Sequence, residues 1–208
     1  MNFDLSVIPN KHIILGVTGG IAAYKSAILV RRLKDAGFNV RVVMTEGAQA
    51  FITPLTFQAL SGNPVHTQLL DPEAEAGMGH IELARWADLL LVAPASCDTL
   101  AKFAAGLADD LLSTLYLATK APVWVAPAMN QQMWAAKATQ RNLNTLVEDG
   151  VHVILPDAGV QACGDVGLGR MPEPEDLALQ VSGYFHRAQR AIAEKFGLLA
   201  GKHVVITA

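Results

Sequence analysis

The feature that most limits how this chain can fold is a set of five short, nearly unbroken apolar runs. They are His12 to Thr18 (HIILGVT), Asn39 to Met44 (NVRVVM), Ala87 to Ala93 (ADLLLVA), Pro122 to Ala126 (PVWVA) and Val151 to Leu155 (VHVIL). Strands with one wet face alternate apolar and polar residues, whereas continuous runs belong to parallel strands covered on both faces. Parallel neighbours need a long crossover, usually a helix. The intervening segments supply it: Ala22 to Ala36 puts Ala23, Ala27, Val30 and Leu33 on one side, and Gly37 ends the pattern. Further helical segments lie near Pro54 to Leu60, His80 to Trp86, Cys97 to Phe103, Asp109 to Thr119 and Asn130 to Asp149. The expected fold is α/β, a doubly wound parallel sheet in three layers with ligands at the carboxyl ends of its strands.

Two stretches leave this pattern. Pro156 to Pro174 carries four glycines, three prolines and no periodicity, and irregular connections of that length usually cover active sites or are disordered. Glu175 to Phe196 returns to helix, with Leu177, Val181, Phe185, Ala188 and Ile192 along one stripe. At the end, Gly201 to Ala208 (GKHVVITA) echoes Asn10 to Thr18 (NKHIILGVT) and reads as a strand opening a second α/β unit. The expected division is therefore a domain over 1–196 and the start of another over 197–208, the chain being a fragment.

Composition excludes several classes. With 51% apolar and 17% charged residues among 208, the chain is neither disordered nor fibrous. It is long enough to bury about 70% of its unfolded surface without a metal or disulfide staple. A net charge of −3 and a pI near 6.0 give no general attraction to nucleic acid or anionic lipid. A membrane span needs about 20 consecutive apolar residues, and the richest stretches, Leu89 to Ala95 and Ala121 to Met129, are shorter and interrupted by Pro94, Pro122 and Pro127. Cys97 and Cys163 form neither a C-x-x-C pair nor a zinc quartet, so no metal is expected, and without a signal peptide the expected location is the reducing cytoplasm. The mean hydropathy of +0.30 points to extra surface buried against copies of the same chain.

Five motifs could carry chemistry. Gly16 to Lys25 (GVTGGIAAYK) is a strand-to-helix turn where Gly19 and Gly20 admit a phosphate to a helix N-terminus. It is neither G-x-G-x-x-G nor a Walker loop, and a plain tight turn is the alternative. Glu46 stands too far on, after Thr45, to make a good ribose ligand for a nicotinamide dinucleotide. Ala93 to Lys102 (APASCDTLAK) offers the hydroxyls of Ser96 and Thr99, with Ser96 or Asp98 as an ordinary helix cap. Pro127 to Asn130 (PAMN) offers a carboxamide that could equally be a cap. Of six histidines, His12 and His203 open strands, His152 lies in one and His186 sits on the long helix, which leaves His66 and His80 in loops. His80 follows an acidic loop and could move a proton or hold a carboxylate. Ala162 to Met171 (ACGDVGLGRM) places Cys163 among glycines with Arg170 nearby, a thiol able to exchange a proton on a loop able to fold over a ligand.

GGIAAYK, the GH at Gly79 and His80, APASCDT, PAMN and ACGDVGLGRM, in that order over about residues 10 to 195, resemble the flavin-dependent cysteine decarboxylases. Within them the chain is most similar to the bacterial phosphopantothenoylcysteine decarboxylases that are fused to a phosphopantothenate–cysteine ligase, whose opening GKHVVITA resembles. The resemblance implies a Rossmann-like, flavodoxin-type domain with bound FMN, assembled as homotrimers and, in the fusions, dodecamers. It implies decarboxylation of 4′-phospho-N-pantothenoyl-L-cysteine to 4′-phosphopantetheine for coenzyme A, through thioaldehyde and enethiolate intermediates. By resemblance Gly19, Gly20, Thr45, Ser96 and Thr99 would contact FMN, and His80 would be the base, reaching a neighbouring subunit's site. Asn130 would hold the substrate carboxylate beside Met129, Ala162, Arg170 and Met171, and Cys163 would be the proton donor. An oxidative decarboxylase of peptide C-terminal cysteine would lack that donor. A flavin prenyltransferase would lack PAMN and the cysteine loop, and a non-catalytic flavin-binding subunit could dispense with His80 or Asn130.

Overall fold

The computed structural model describes residues 11–69 and 79–195. Six parallel strands form the central sheet: β1 (His12–Val17), β2 (Asn39–Met44), β3 (Val65–His66), β4 (Leu89–Ala95), β5 (Val123–Pro127) and β6 (His152–Val153). Their order is β3-β2-β1-β4-β5-β6. The chain winds one way from β1 through β2 to β3 and the other way from β4 to β6. The topological switch point therefore lies between β1 and β4, where crossovers leave on opposite faces and open a crevice. The expected doubly wound, three-layer fold is what the structure contains.

Alternation along each strand splits the core in two. Ile13, Leu15 and Val17 of β1 and Leu89, Leu91 and Ala93 of β4 face one helical layer, made of α1 (Ala23–Asp35), α3 (Pro54–Ser61) and α9 (Pro174–Lys195). Ile14, Leu90, Val92 and Ala95 face the other, made of α4 (His80–Trp86), α5 (Cys97–Ala105), α6 (Leu111–Ala118) and α8 (Lys137–Glu148). All seven residues of β4 are buried, which is why its sequence shows no polar alternation. The helix α1 buries Ala23, Val30 and Leu33 as its spacing predicts. It stops where Gly37, at φ 90°, lets the Phe38 N–H turn back to the Leu33 carbonyl.

Four expectations change. Asn130 to Asp149 is two helices, α7 (Gln131–Ala135) and α8, because Ala136 is extended at ψ 134° and both ends one helix and begins the next. No proline or glycine marks that break. His66 is in the edge strand β3 rather than a loop; two residues are too few to show a period. A one-turn helix, α2 (Glu46–Gln49), follows β2, capped by the Thr45 side chain. The segment Pro156 to Pro174 holds an antiparallel hairpin, β7 (Asp157–Val160) and β8 (Val166–Arg170). Its period was hidden because Gly159, Gly167 and Gly169 occupy its inner face. Residues 197–208, expected to open a second domain, lie outside the described residues.

A charged cap secures α6. Asp110 accepts the Ser113 N–H at 2.8 Å and pairs with Lys102 at 3.1 Å, while Lys102 also meets Asp109 at 3.1 Å. Burial works to raise the Asp110 pKa, but the Ser113 and Lys102 hydrogen bonds outweigh it and hold the carboxyl below its ordinary range. A depressed carboxyl adds stability that is present above its unfolded pKa and lost as pH falls through the folded value. Asp110→Asn, which keeps a capping oxygen without the charge, is expected to be less stable than wild type at pH 7. The two proteins should converge as pH falls below about 4, measured by urea unfolding across that range.

Candidate active site

The loops leaving β1 and β4 are held together by hydroxyls. Between Val92 and Ala95 the register of β4 on β5 shifts, and Ala93–Pro94 is cis. The Ala93 carbonyl accepts the Ser26 hydroxyl at 2.6 Å and the Pro94 carbonyl accepts the Thr18 hydroxyl at 2.7 Å. Thr18 in turn accepts the Ser96 N–H at 2.8 Å. Both hydroxyls are buried, so each answers a carbonyl that would otherwise be unsatisfied, at a cost of about 1–3 kcal/mol.

At the switch point these loops open a cavity of about 550 Å³, within the size range of small-molecule sites. One wall is the glycine turn. Gly19 lies against the backbone of Gly47, where a Cβ would come within 3.0 Å, whereas a Cβ on Gly20 would meet nothing within 4 Å and would project into open space. The helix α1 begins there with no side-chain cap and no acidic residue in its first turn. An uncapped, carboxylate-free N-terminus beside a bare glycine suits a phosphate group. Ser96 lines the cavity at the start of α5, where its oxygen accepts the Thr99 N–H at 3.2 Å and its hydroxyl lies 3.1 Å from that of Thr99. Ser96, not Asp98, is the cap.

The opposite wall carries a carboxamide and a thiol. Asn130 caps α7, its Oδ1 accepting the Gln132 N–H at 2.8 Å. Its Nδ2 donates to Asp165 at 3.0 Å and lies 3.5 Å from Cys163 Sγ. Asn130 thus caps the helix with its oxygen and leaves its Nδ2 directed to the hairpin. The hairpin β7–β8 lies on this loop: the Met129 N–H donates to the Gly169 carbonyl at 2.9 Å. Lys25, buried in the cavity wall, ties down the far end of the hairpin by donating to the Met171 carbonyl at 2.9 Å and to Glu173 at 2.7 Å.

Gly19, Gly20, Ser96, Met129, Asn130, Ala162, Cys163, Arg170 and Met171 all line this cavity. Three expected site residues do not. Thr99 is buried behind Ser96 and reaches the cavity through it. Thr45 caps α2 behind the glycine turn. His80 begins α4 outside the cavity. Sequence reasoning gave no role to Tyr24, Lys25, Cys97, Met133 or Gln161, which also line it. Lys25 and Tyr24 sit inside a motif whose glycines drew the attention, and nothing in the local pattern marks Gln161. Among the described residues no group of three potential metal ligands occurs, and no helix is long and apolar enough to cross a membrane.

A doubly wound sheet whose switch-point cavity joins a phosphate-type turn to a thiol and a carboxamide defines a nucleotide-cofactor α/β protein. The flavoprotein family model matches residues 5–186, and the chain belongs to that family. It is 57% identical over 201 residues to the coenzyme A biosynthesis bifunctional protein CoaBC of Vibrio cholerae, covering 97% of this chain and 48% of the relative. Its likeness to the Bacillus subtilis protein of that name is 46% over 202 residues, 97% and 48% of the two chains. The chain thus spans about half the length of the curated relatives it matches. Among solved structures, a PPC decarboxylase mutant complexed with pantothenoylaminoethenethiol superposes with TM-score 0.75 at 34% identity, covering 85% of this chain and 99% of that one. The FMN-dependent cysteine decarboxylase SpaF superposes with TM-score 0.70 at 32% identity, covering 84% and 98%.

Gly169 is the position that lets the hairpin lie on Asn130's loop. At φ 139° it adopts a conformation that favours glycine, and a Cβ there would strike the Met129 carbonyl. Gly169→Ala is expected to cost about 1–3 kcal/mol and to speed hydrogen exchange at the Met129 amide at least tenfold. The far-ultraviolet circular dichroism should stay unchanged.

Proposed function

We propose that this chain is an FMN-dependent decarboxylase of 4′-phospho-N-pantothenoyl-L-cysteine, yielding 4′-phosphopantetheine for coenzyme A. The observation that carries the reading is that Asn130 and Cys163 meet at 3.5 Å on the wall of the same cavity that the Gly19–Gly20 turn opens. That juxtaposition puts a carboxylate-binding amide and a proton source opposite a phosphate-binding turn. We further propose that phosphopantothenate–cysteine ligation, where it accompanies this activity, is carried by sequence outside the residues matched here, which span 48% of the Vibrio cholerae relative.

The glycine turn and the uncapped start of α1 would take the cofactor phosphate, with Ser96, steadied by Thr99, offering a hydroxyl beside it. FMN, when bound, supplies a hydride acceptor and donor, which lets carbon dioxide leave a carbon that alone could not hold the charge. Asn130 Nδ2 holds the substrate carboxylate, taking over a bond now made to the Asp165 carboxylate. The Cys163 thiol delivers a proton to the substrate carbon after carbon dioxide has gone. The hairpin shuts water from the reacting carbons, and Lys25 anchors its far end.

His80 acts as the base in a neighbouring protomer's site within a homotrimer. Two features support this: His80 stands outside its own cavity, and Ile21 before α1 with Tyr24 and Ile28 on α1 are exposed apolar side chains at or near that cavity. A sedimentation mass of one chain at micromolar concentration would remove the trimer.

The test is an absorbance spectrum followed by mass spectrometry of the reaction. The expected result is a yellow protein whose product is lighter than substrate by one carbon dioxide. A colourless, inactive protein after FMN is supplied refutes the reading. Cys163→Ser is expected to release carbon dioxide but leave a product two hydrogens short, and full turnover by it would refute the proton-donor role. His80→Asn is expected to keep FMN and lose carbon dioxide release, and retained activity would take His80 out of the mechanism.

A further inference from the structure

Gln161 sits between β7 and the turn that carries Cys163, and its carboxamide reaches across to a different segment. Oε1 accepts the Gln131 N–H at 3.0 Å, and Nε2 donates to the Met129 carbonyl at 3.4 Å and the Leu168 carbonyl at 3.2 Å. Met129 and Gln131 are the neighbours of Asn130 on either side. The backbone of Gln161 also closes the thiol's own turn: its N–H donates to the Asp165 carbonyl at 2.8 Å, and its carbonyl accepts the Gly164 N–H at 2.9 Å. One residue therefore grips both peptide flanks of the carboxamide and both ends of the turn bearing the thiol.

The surroundings argue against simple space filling. The hairpin's inner face is otherwise glycine, since a Cβ at Gly167 would strike the Gln131 side chain and one at Gly169 the Met129 carbonyl. An apolar side chain at 161 could occupy the space but could not answer a helix-start N–H and two carbonyls at once.

We infer that Gln161 is a positioning residue that sets the Asn130–Cys163 separation, and so decides whether the decarboxylated intermediate is protonated or escapes. The inference rests on the proposed decarboxylase reading. Misplacing a reacting group by about 1 Å can cost 100-fold in rate. The thiol acts only after carbon dioxide has left, so its displacement should show as a change in product rather than as a loss of carbon dioxide.

The test is Gln161→Leu in the FMN-loaded protein, with Gln161→Met, unbranched and of similar length, should the first fail to fold. Val166→Thr, on the exposed outer face of the same hairpin, is the control. The expected result is wild-type flavin content and, in a single turnover, carbon dioxide release within about threefold of wild type, the two hydrogens staying on the flavin wherever the product escapes. The product two hydrogens short should rise at least tenfold relative to the complete product, with the control unchanged. Hydrogen exchange should also quicken at least tenfold at the Gln131 amide, which Gln161 Oε1 accepts, without substrate present. A variant that lowers melting temperature and total rate but keeps the wild-type product ratio would overturn the inference, as would one that changes nothing. If the wild-type protein itself releases no carbon dioxide, the decarboxylase reading fails, and unchanged exchange at Gln131 in the variant would then dispose of the tether separately.

Discussion

The arrangement of the site depends on how the end of β4 is satisfied. A strand buried on both faces must end with its last carbonyls answered inside the protein, because no water reaches them. Ser26 and Thr18 do this for Ala93 and Pro94, and Thr18 also accepts from Ser96. These three hydrogen bonds lock the first turn of α1, the glycine turn and the start of α5 into one unit across the switch point. The glycine turn is then pressed against Gly47 so closely that a Cβ on Gly19 would come within 3.0 Å of the Gly47 backbone. A ligand at the carboxyl edge meets a rigid floor formed by backbone and small hydroxyls.

The opposite wall is built differently. The hairpin rests on the Met129–Gln131 loop through glycine backbone, one glutamine side chain and the Asn130–Asp165 hydrogen bond, and its Val160, Val166 and Leu168 are exposed. The stitching continues on its far side, where Lys25 bonds to Glu173, Arg170 lies 3.7 Å from Glu173, and Arg32 holds Glu175 at 2.8 Å. The floor is tied to the core by buried hydroxyls and the cover by half-exposed polar contacts. That contrast gives the cover the lower local stability, as expected of segments that must let a ligand in and out.

Much of this was legible in the residues, for physical reasons. Runs such as LLLVA read as doubly covered strands because burial on both faces erases polar alternation, and ligands were expected at their carboxyl ends, whereas the strand order that fixes the switch point came from the structure. Ser96 and Asn130 could be placed at helix starts from their cap chemistry alone. The hairpin could not be read, because glycine on its inner face removes the side chains that a period-2 pattern consists of. The break at Ala136 was equally silent: its φ and ψ are ordinary for alanine, and tertiary packing chose them. Gln161 and Lys25 act over long sequence separations, and no local spacing reports a contact of that kind. Thr45, expected beside the cofactor, instead caps a one-turn helix, and His80 begins a helix outside this cavity.

The Lys25 hydrogen bond to Met171 joins residues 146 positions apart, and the cavity takes its lining from segments between Gly19 and Met171. On the ribosome, β1 and the glycine turn emerge first, yet the pocket they belong to has no second wall until the hairpin follows. Chains that end before the hairpin therefore lack one wall of the pocket. Because the ligand binds only the completed form, it also draws late folding intermediates toward that form by mass action.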